Sequence, residues 1–256
     1  VVGPDTSHSV FNPFSLKNTI IMKKPLFSLL ILVCLTTLSF AQEPPKLTSL
    51  EEFSTKLSQQ AKPQIIDARS SDEFALNHLH GAVNFTLQSE DYEQRIKTLD
   101  AAKPVFIYSI QNGRSSVLSK DLRSRGFKEV YELEKGIGNW VGSGKPIYTT
   151  AAKGISLSDF HEILLTNHLV LVDIGSKFCG ACKKVKPILE ALRQDKGSAV
   201  KIVELELEEN PELIASLKMV TGFPYLILYK QGEIAWKRAG IQELKNEIDT
   251  ALAKAQ

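Results

Sequence analysis

Leu169-Val170-Leu171-Val172-Asp173-Ile174 runs, through Gly175-Ser176-Lys177, into Phe178-Cys179-Gly180-Ala181-Cys182-Lys183. The first part is a short apolar run carrying a single acid, which reads as a buried strand. The second opens a helix predicted over Cys182–Arg193, with Pro187 expected to kink it by removing a donor and crowding the preceding turn. A Cys-x-x-Cys pair at a strand-to-helix junction has a physical logic. Cys179 would sit at the helix N-terminus, where free N–H groups and the macrodipole favour a thiolate. Cys182 follows one turn in, close enough to form a small disulfide ring once a mixed disulfide exists. Lys177, Lys183 and Lys184 add positive charge. The alternative is half of a zinc site, but the only other cysteine is Cys34 and no His pair stands at ligand spacing.

Outward from this stretch the chain alternates strand and helix signals. Helices are predicted over Ser156–Asn167, capped by Ser156 or Ser158, over Pro211–Met219 and over Ile241–Ala253. Strands are predicted over Val200–Leu207, and over Tyr225–Tyr229 and Glu233–Lys237 as a hairpin turning at Gln231-Gly232. Upstream, Gln64–Asp67 and Val105–Tyr108 read as buried strands, each entered through a Lys-Pro step. Ser115–Arg125 has its apolar residues at 118 and 122, a helix ended by Gly126, and Val130–Leu133 is a further strand. The fold class is therefore α/β. Residues 149–154 are small and polar and mark a linker between domains over 47–148 and 155–256.

Residues 23–41 have a different character. Lys23-Lys24 precede an apolar run from Leu26 to Leu38, and Ser39-Phe40-Ala41 places small residues for cleavage after Ala41. This is the pattern of a secretory signal peptide, with Met22 as the expected start and residues 1–41 as upstream extension plus leader. A retained anchor is the alternative, although the run is short of the roughly 20 residues that span a bilayer. Cys34 lies inside the run rather than after small residues, which disfavours a lipid attachment site. The leader takes Lys17, Lys23, Lys24 and Asp5 with it, so of 31 basic and 29 acidic residues 28 of each remain. A neutral chain, 43% hydrophobic and 23% charged over its full 256 residues, gives no global electrostatic case for nucleic acid or an anionic surface. Cys179 and Cys182 would then be the two cysteines of a secreted or periplasmic protein, where disulfides persist.

The second half resembles the thioredoxin family over about 155–256. The resemblance rests on Leu171-Val172-Asp173, on Cys179-Gly180-Ala181-Cys182, on Pro187, and on Thr221-Gly222-Phe223-Pro224-Tyr225, in that order. It implies a thioredoxin fold with a mixed sheet, Cys179 as attacking nucleophile, Cys182 as resolving thiol, and Asp173 as the acid that handles the proton of Cys182. It also implies that Phe223 and a cis Pro224 shape a groove for a substrate's extended backbone. Phe178 stands where Trp is usual and Ala181 where Pro is usual. Glu204 stands where many members carry a Lys beside the buried Asp, and a second carboxylate should make Asp173 harder to ionise.

The first half resembles the rhodanese family over about 47–148. Its residues are Ile65-Ile66-Asp67-Ala68-Arg69 with Glu73-Phe74, then His78-Leu79-His80-Gly81-Ala82-Val83-Asn84, and later Gly126-Phe127, Val130-Tyr131, Gly136-Ile137 and Trp140. The resemblance implies a mainly parallel sheet and, after the strand Val105–Tyr108, a cysteine cradled by backbone N–H groups. Ser109 occupies that position, and a hydroxyl cannot carry a persulfide, so sulfur transfer is expected to be absent. Ser109, Gly113 and Arg114 remain a candidate anion loop at a helix start. His78 and His80 belong to the rhodanese-like turn, and His161 and His168 to the surface.

The expectation is an extracytoplasmic thiol:disulfide oxidoreductase with a non-catalytic rhodanese-like companion. It would act on protein disulfides or dithiols and exchange electrons with a partner protein. Beyond the Cys179–Cys182 disulfide it would need no cofactor and no metal, and neither nucleic acid nor, after leader cleavage, a membrane. The alternative is an anion- or partner-binding module whose dithiol is structural or redox-sensing. Sulfur relay through a persulfide on Cys179 itself ranks last.

Overall fold

A computed structural model describes residues 47–151 and 154–255. The signal-peptide reading therefore lies outside the described residues. No described helix is long and apolar enough to cross a membrane.

The first half is built on five parallel strands in the order β1-β6-β5-β2-β4. These are β1 Leu47–Thr48, β2 Gln64–Asp67, β4 Ala82–Asn84, β5 Val105–Tyr108 and β6 Val130–Leu133. Every residue of β5 is buried, as a central parallel strand with both faces covered should be. Helix α1 (Leu50–Ser58) is capped by Ser49, and α2 (Ser71–Leu76) has a full capping box between Ser70 and Glu73. Helix α3 is Tyr92–Ile96. Helix α4 covers Gly113–Ser124, starting two residues earlier than expected, and the chain leaves it through Gly126 at φ +94°. Helix α5 (Gly136–Gly142) follows β6. The Asp67-Ala68-Arg69 motif is a buried ion pair. Arg69 is fully buried, donates from Nη2 to Asp67 Oδ2 at 2.7 Å and reaches Asn77 Oδ1 at 3.1 Å.

A small ribbon was not legible in the sequence. Strand β3 (Asn77–His78) pairs antiparallel with β7 (Tyr148–Thr149), so Thr149, expected to open the linker, is tied to the first half.

The second half is a mixed sheet in the order β11-β10-β8-β9. Its strands are β8 Leu169–Gly175, β9 Lys201–Glu206, β10 Tyr225–Lys230 and β11 Glu233–Ala239, with β8 and β9 parallel and β10 antiparallel to both its neighbours. The hairpin turns at Gln231 (φ +50°) and Gly232 (φ +84°), the paired positive φ values that match strand twist in a two-residue loop. Its helices are α6 (Leu157–Thr166), capped by Ser156, then α7 (Lys186–Lys196), α8 (Pro211–Leu217) and α9 (Leu244–Ala255). The helix expected over Cys182–Arg193 is interrupted just ahead of Pro187. Cys182–Lys184 form a single 3-10 turn, and the α-helix starts at Lys186 with Pro187 in its first turn. There its missing N–H would have had no intrahelical partner anyway.

The two halves share one apolar core. It runs from Phe53, Phe106 and Trp140 of the first to Val172, Ile214, Val220 and Phe223 of the second, and includes both cysteines. Helix α5 forms the seam. A Cβ on Gly138 would lie 2.9 Å from the Phe223 ring, and one on Gly142 would lie 2.1 Å from Val220 O. Backbones thus meet directly, and Val220 N–H donates to Gly142 O at 3.2 Å.

Candidate functional site

Strand β8 ends at Gly175, and the turn that follows carries the dithiol. Cys179 and Cys182 are joined in a disulfide with Cα atoms 5.2 Å apart. The turn is held from below by Glu208, which the sequence did not single out. Its carboxylate is buried, accepting from Ser176 Oγ at 2.6 Å and from the Lys177 N–H at 3.2 Å. Ser176 Oγ in turn accepts from the Phe178 N–H at 3.2 Å, and Cys179 N–H donates to Ser176 O at 2.9 Å. Cys182 N–H points at Cys179 Sγ, 3.2 Å away. A free helix-start amide aimed at the first sulfur is the arrangement that stabilises a thiolate there.

Register brings the proline loop beside this turn. Tyr225 pairs with Ile174, so Pro224 enters the sheet opposite the end of β8. The Phe223–Pro224 bond is cis, and Pro224 O accepts from Gly240 N–H at 2.9 Å. Phe223 O accepts from the Gln111 side-chain amide of the first half. Cys179 is 1% and Cys182 4% exposed, so the disulfide is enclosed when the halves are docked. A cavity of about 450 Å³ between the halves is lined by Gln111, Gly113 and Lys135 on one side and Thr221, Gly222 and Phe223 on the other.

Asp173 is buried on β8, two residues before Gly175 and so on the same sheet face. Burial pushes its carboxyl up to about 7, and the neighbouring carboxylates Glu204 and Glu206 add to the rise. Glu204 is the in-register partner of Asp173 on β9 and is ion-paired with Arg193. Asp173 Oδ1 is buried with no hydrogen-bond partner.

Of the anion-loop residues of the first half, Ser109 and Arg114 are engaged within their own domain. Ser109 points inward, donating from Oγ to Gln111 O at 2.6 Å and lying 3.1 Å from Ser115 Oγ. Arg114 grips Glu73, with Nη2 2.8 Å from Oε1 and Nη1 on Oε2. Burial would raise the Glu73 carboxyl, but Arg114 and the Ser70 N–H hold it below its ordinary value. Gly113 opens onto the cavity, with nothing within 4 Å of where its Cβ would stand. The side chain that fills the loop is Glu132, fully buried on β6. Its Oε1 accepts from Asn112 Nδ2 (3.0 Å), Ser115 Oγ (2.8 Å) and Ser116 Oγ (2.7 Å). His78 packs between the Phe74 and Tyr148 rings, its Nδ1 2.7 Å from Phe74 O. Among the described residues no group of three or more His, Cys, Asp or Glu could hold a metal ion.

Comparisons with known proteins divide the chain the same way. A family model described as thioredoxin matches residues 152–254, and one described as a rhodanese-like domain matches 49–143. Thioredoxin from Listeria monocytogenes is 37% identical over 86 residues, covering 34% of this chain and 82% of that protein. Thioredoxin from Rickettsia bellii is 31% identical over 99 residues, covering 38% and 93%. Among solved structures, oxidized mitochondrial thioredoxin 3 from Saccharomyces cerevisiae aligns with a TM-score of 0.36 and 23% identity, over 41% of this chain and 95% of that one. The second half is a thioredoxin-like redox domain whose cysteine pair closes a disulfide, and the rhodanese-like domain precedes it.

Proposed function

The chain belongs to the thioredoxin family, with a rhodanese-like domain fused ahead of its redox domain, and from that premise we propose an extracytoplasmic thiol:disulfide oxidoreductase acting on protein disulfides. In the reducing direction the Cys179 thiolate attacks a client disulfide, forming a mixed disulfide and releasing one client thiolate. Cys182 gives up its proton with the help of Asp173 and attacks Cys179 Sγ. The Cys179–Cys182 bond forms, and the second client thiolate leaves and is protonated. The reverse sequence oxidises a client dithiol. Phe223 and Pro224 supply the backbone edge on which the client's chain would lie, in place of the Gln111 side chain that now donates to Phe223 O, and a partner protein would exchange electrons with the disulfide.

The observation that carries this reading is the disulfide at a helix start beside the cis-proline loop. Extracytoplasmic location rests on the leader pattern of residues 23–41. The rhodanese-like domain is non-catalytic on this reading, because Ser109 stands in the nucleophile's place and the buried Glu132 carboxylate is held by side chains at the start of the helix that follows. Catalytic reduction of insulin disulfides by the protein, regenerated with dithiothreitol, is the expected result. The alternative, a binding module with a structural or sensing disulfide, draws on the burial of Cys179 and requires no turnover in that assay. Equilibration of the dithiol with glutathione would give the potential, and so the direction.

A further inference from the structure

On the parallel pair β8 and β9, Asp173 stands opposite Glu204 and Gly175 opposite Glu206. Side chains two apart share a sheet face, so these four positions form a square on one face. Three corners carry carboxylates and the fourth carries no side chain. The resolving sulfur faces the gap. A Cβ on Gly175 would lie 3.0 Å from Cys182 Sγ and 3.9 Å from Glu206 Oε2. Sulfur and carboxylate oxygen thus border the same small space, which any other residue at 175 would fill.

The two oxygens of Glu206 differ. Oε1 lies 3.5 Å from Lys186 Nζ, whereas Oε2 is buried with no hydrogen-bond partner. The charged groups around Glu206 are Asp173 from β8, Glu204 and Glu208 from β9 and its continuation, and Lys186 from α7. Arg193 of α7 is engaged by Glu204, and Glu208 by Ser176. Burial pushes the Glu206 carboxyl up, with Lys186 opposing and Glu208 and Glu204 adding to the rise. A buried carboxylate oxygen without a donor is costly unless a proton or a donor reaches it during the working cycle.

We propose that Glu206 is a second proton acceptor for Cys182, taking the thiol proton on Oε2 across the gap left by Gly175. This deepens the oxidoreductase reading and rests on it. In the mixed-disulfide state the Cys182 S–H transfers its proton to the Glu206 carboxylate. The resulting thiolate attacks Cys179 Sγ, the ring disulfide forms and the bond to the client sulfur breaks, that sulfur leaving with the electron pair. In the oxidising direction the Glu206 carboxylic acid returns the proton to Cys182 as its thiolate departs. Asp173, at the adjacent corner, serves the same sulfur, so neither carboxylate alone accounts for the whole step.

Reduced protein mixed with excess 5,5′-dithiobis(2-nitrobenzoate) separates the two cysteines. Attack by Cys179 releases the first thionitrobenzoate at a rate that scales with reagent. Resolution by Cys182 releases the second in a phase independent of reagent. Glu206→Gln is expected to leave the first phase unchanged and to slow the second about 10-fold at pH 7, a modest share of what a general base supplies. The deficit should close by about pH 9, where the thiol ionises without help. The double variant Glu206→Gln/Asp173→Asn should be slower than either single one. An unmoved second phase would overturn the proposal, as would uniform slowing at every pH, the sign of a structural role. A faster second phase at pH 7 would also overturn it, since loss of a repelling charge alone does that. Absence of a Cys179 phase in the unaltered protein would instead sink the oxidoreductase reading.

Discussion

Two strand-to-helix junctions in this molecule start from the same backbone physics and end in opposite states. After β8 the turn Ser176–Cys182 aims a helix-start N–H at a sulfur and leaves the anion to be made by chemistry. After β5 the turn Ser109–Gly113 meets a carboxylate already in place, Glu132, held by Asn112, Ser115 and Ser116. A helix N-terminus attracts negative charge wherever it lies. What the residue at the turn can do with that field decides whether the junction is reactive or sealed. Arg114, a cationic group of the first junction, is engaged by Glu73.

Removing the thiol of one junction and the hydroxyl of the other gives the largest contrast. Cys179→Ser should lower insulin reduction by on the order of 10³-fold or more, as loss of a covalent nucleophile does. Ser109→Ala should leave that rate unchanged. Cys182→Ala should trap Cys179 in mixed disulfides under mild oxidation, visible as higher-mass species on a non-reducing gel. Equal losses from the serine and cysteine variants would erase the distinction between the junctions.

The next effect is on stability. Arg69→Ala leaves Asp67 buried and uncompensated, which should cost about 3–5 kcal/mol. Because the core is continuous across the seam, the loss should not stay in the first half. Denaturant unfolding followed by tryptophan fluorescence and by loss of insulin reduction should give coincident transitions, both at a lower midpoint. Two separated transitions would show that the sealed half and the reactive half fold independently.

Much of this was written in local patterns, and the rest depended on partners distant in sequence. Strands β2, β5 and β6 coincide with Gln64–Asp67, Val105–Tyr108 and Val130–Leu133 as read, since short apolar runs bounded by turn residues leave little choice. The hairpin at Gln231-Gly232 is equally local. The break at Pro187 is legible because its neighbours carry helical periodicity while the proline lacks a donor. The 3-10 turn at Cys182–Lys184 that resets the helix is invisible in that pattern. Glu132, the one charge of its strand, and Glu206, one of three in β9, do not stand out in the sequence. Their roles come from register, 132 lying beneath the start of α4 and 206 opposite Gly175. The sequence pattern assigns no element to Gly138 and Gly142, and the seam with Phe223 and Val220 requires their lack of a side chain.

Asp173 ties chemistry to pH. Its carboxyl is held up near 7 in the fold and falls to about 3.9 when unfolded. Between those values the native state binds the extra proton, so stability is full below about pH 4 and declines as pH rises toward 7. The decline attributable to this group is at most about 4 kcal/mol. Asp173→Asn removes that slope, although burying the amide hydrogens costs about 1–3 kcal/mol in return. Urea midpoints measured from pH 5 to pH 8 should therefore fall in the unaltered protein and stay flatter in the variant. A variant with an equal slope would place the titrating group elsewhere.

The smallest effect is the one that tests the sealed junction most directly. Ser109→Cys restores a sulfur at the position that the rhodanese resemblance assigns to a nucleophile, and it changes one buried atom. Stability should shift by about 1 kcal/mol or less, since the hydroxyl's bond to Gln111 O is the main loss. Cyanide-dependent sulfur transfer from thiosulfate should nevertheless stay at background. A persulfide or sulfonate on that sulfur would sit against the buried Glu132 carboxylate, of the same sign. Adding Glu132→Gln removes the charge, so any sulfurtransferase activity should emerge only in the double variant. Activity in Ser109→Cys alone would mean that the junction lacked only its nucleophile, and that Glu132 does not close it.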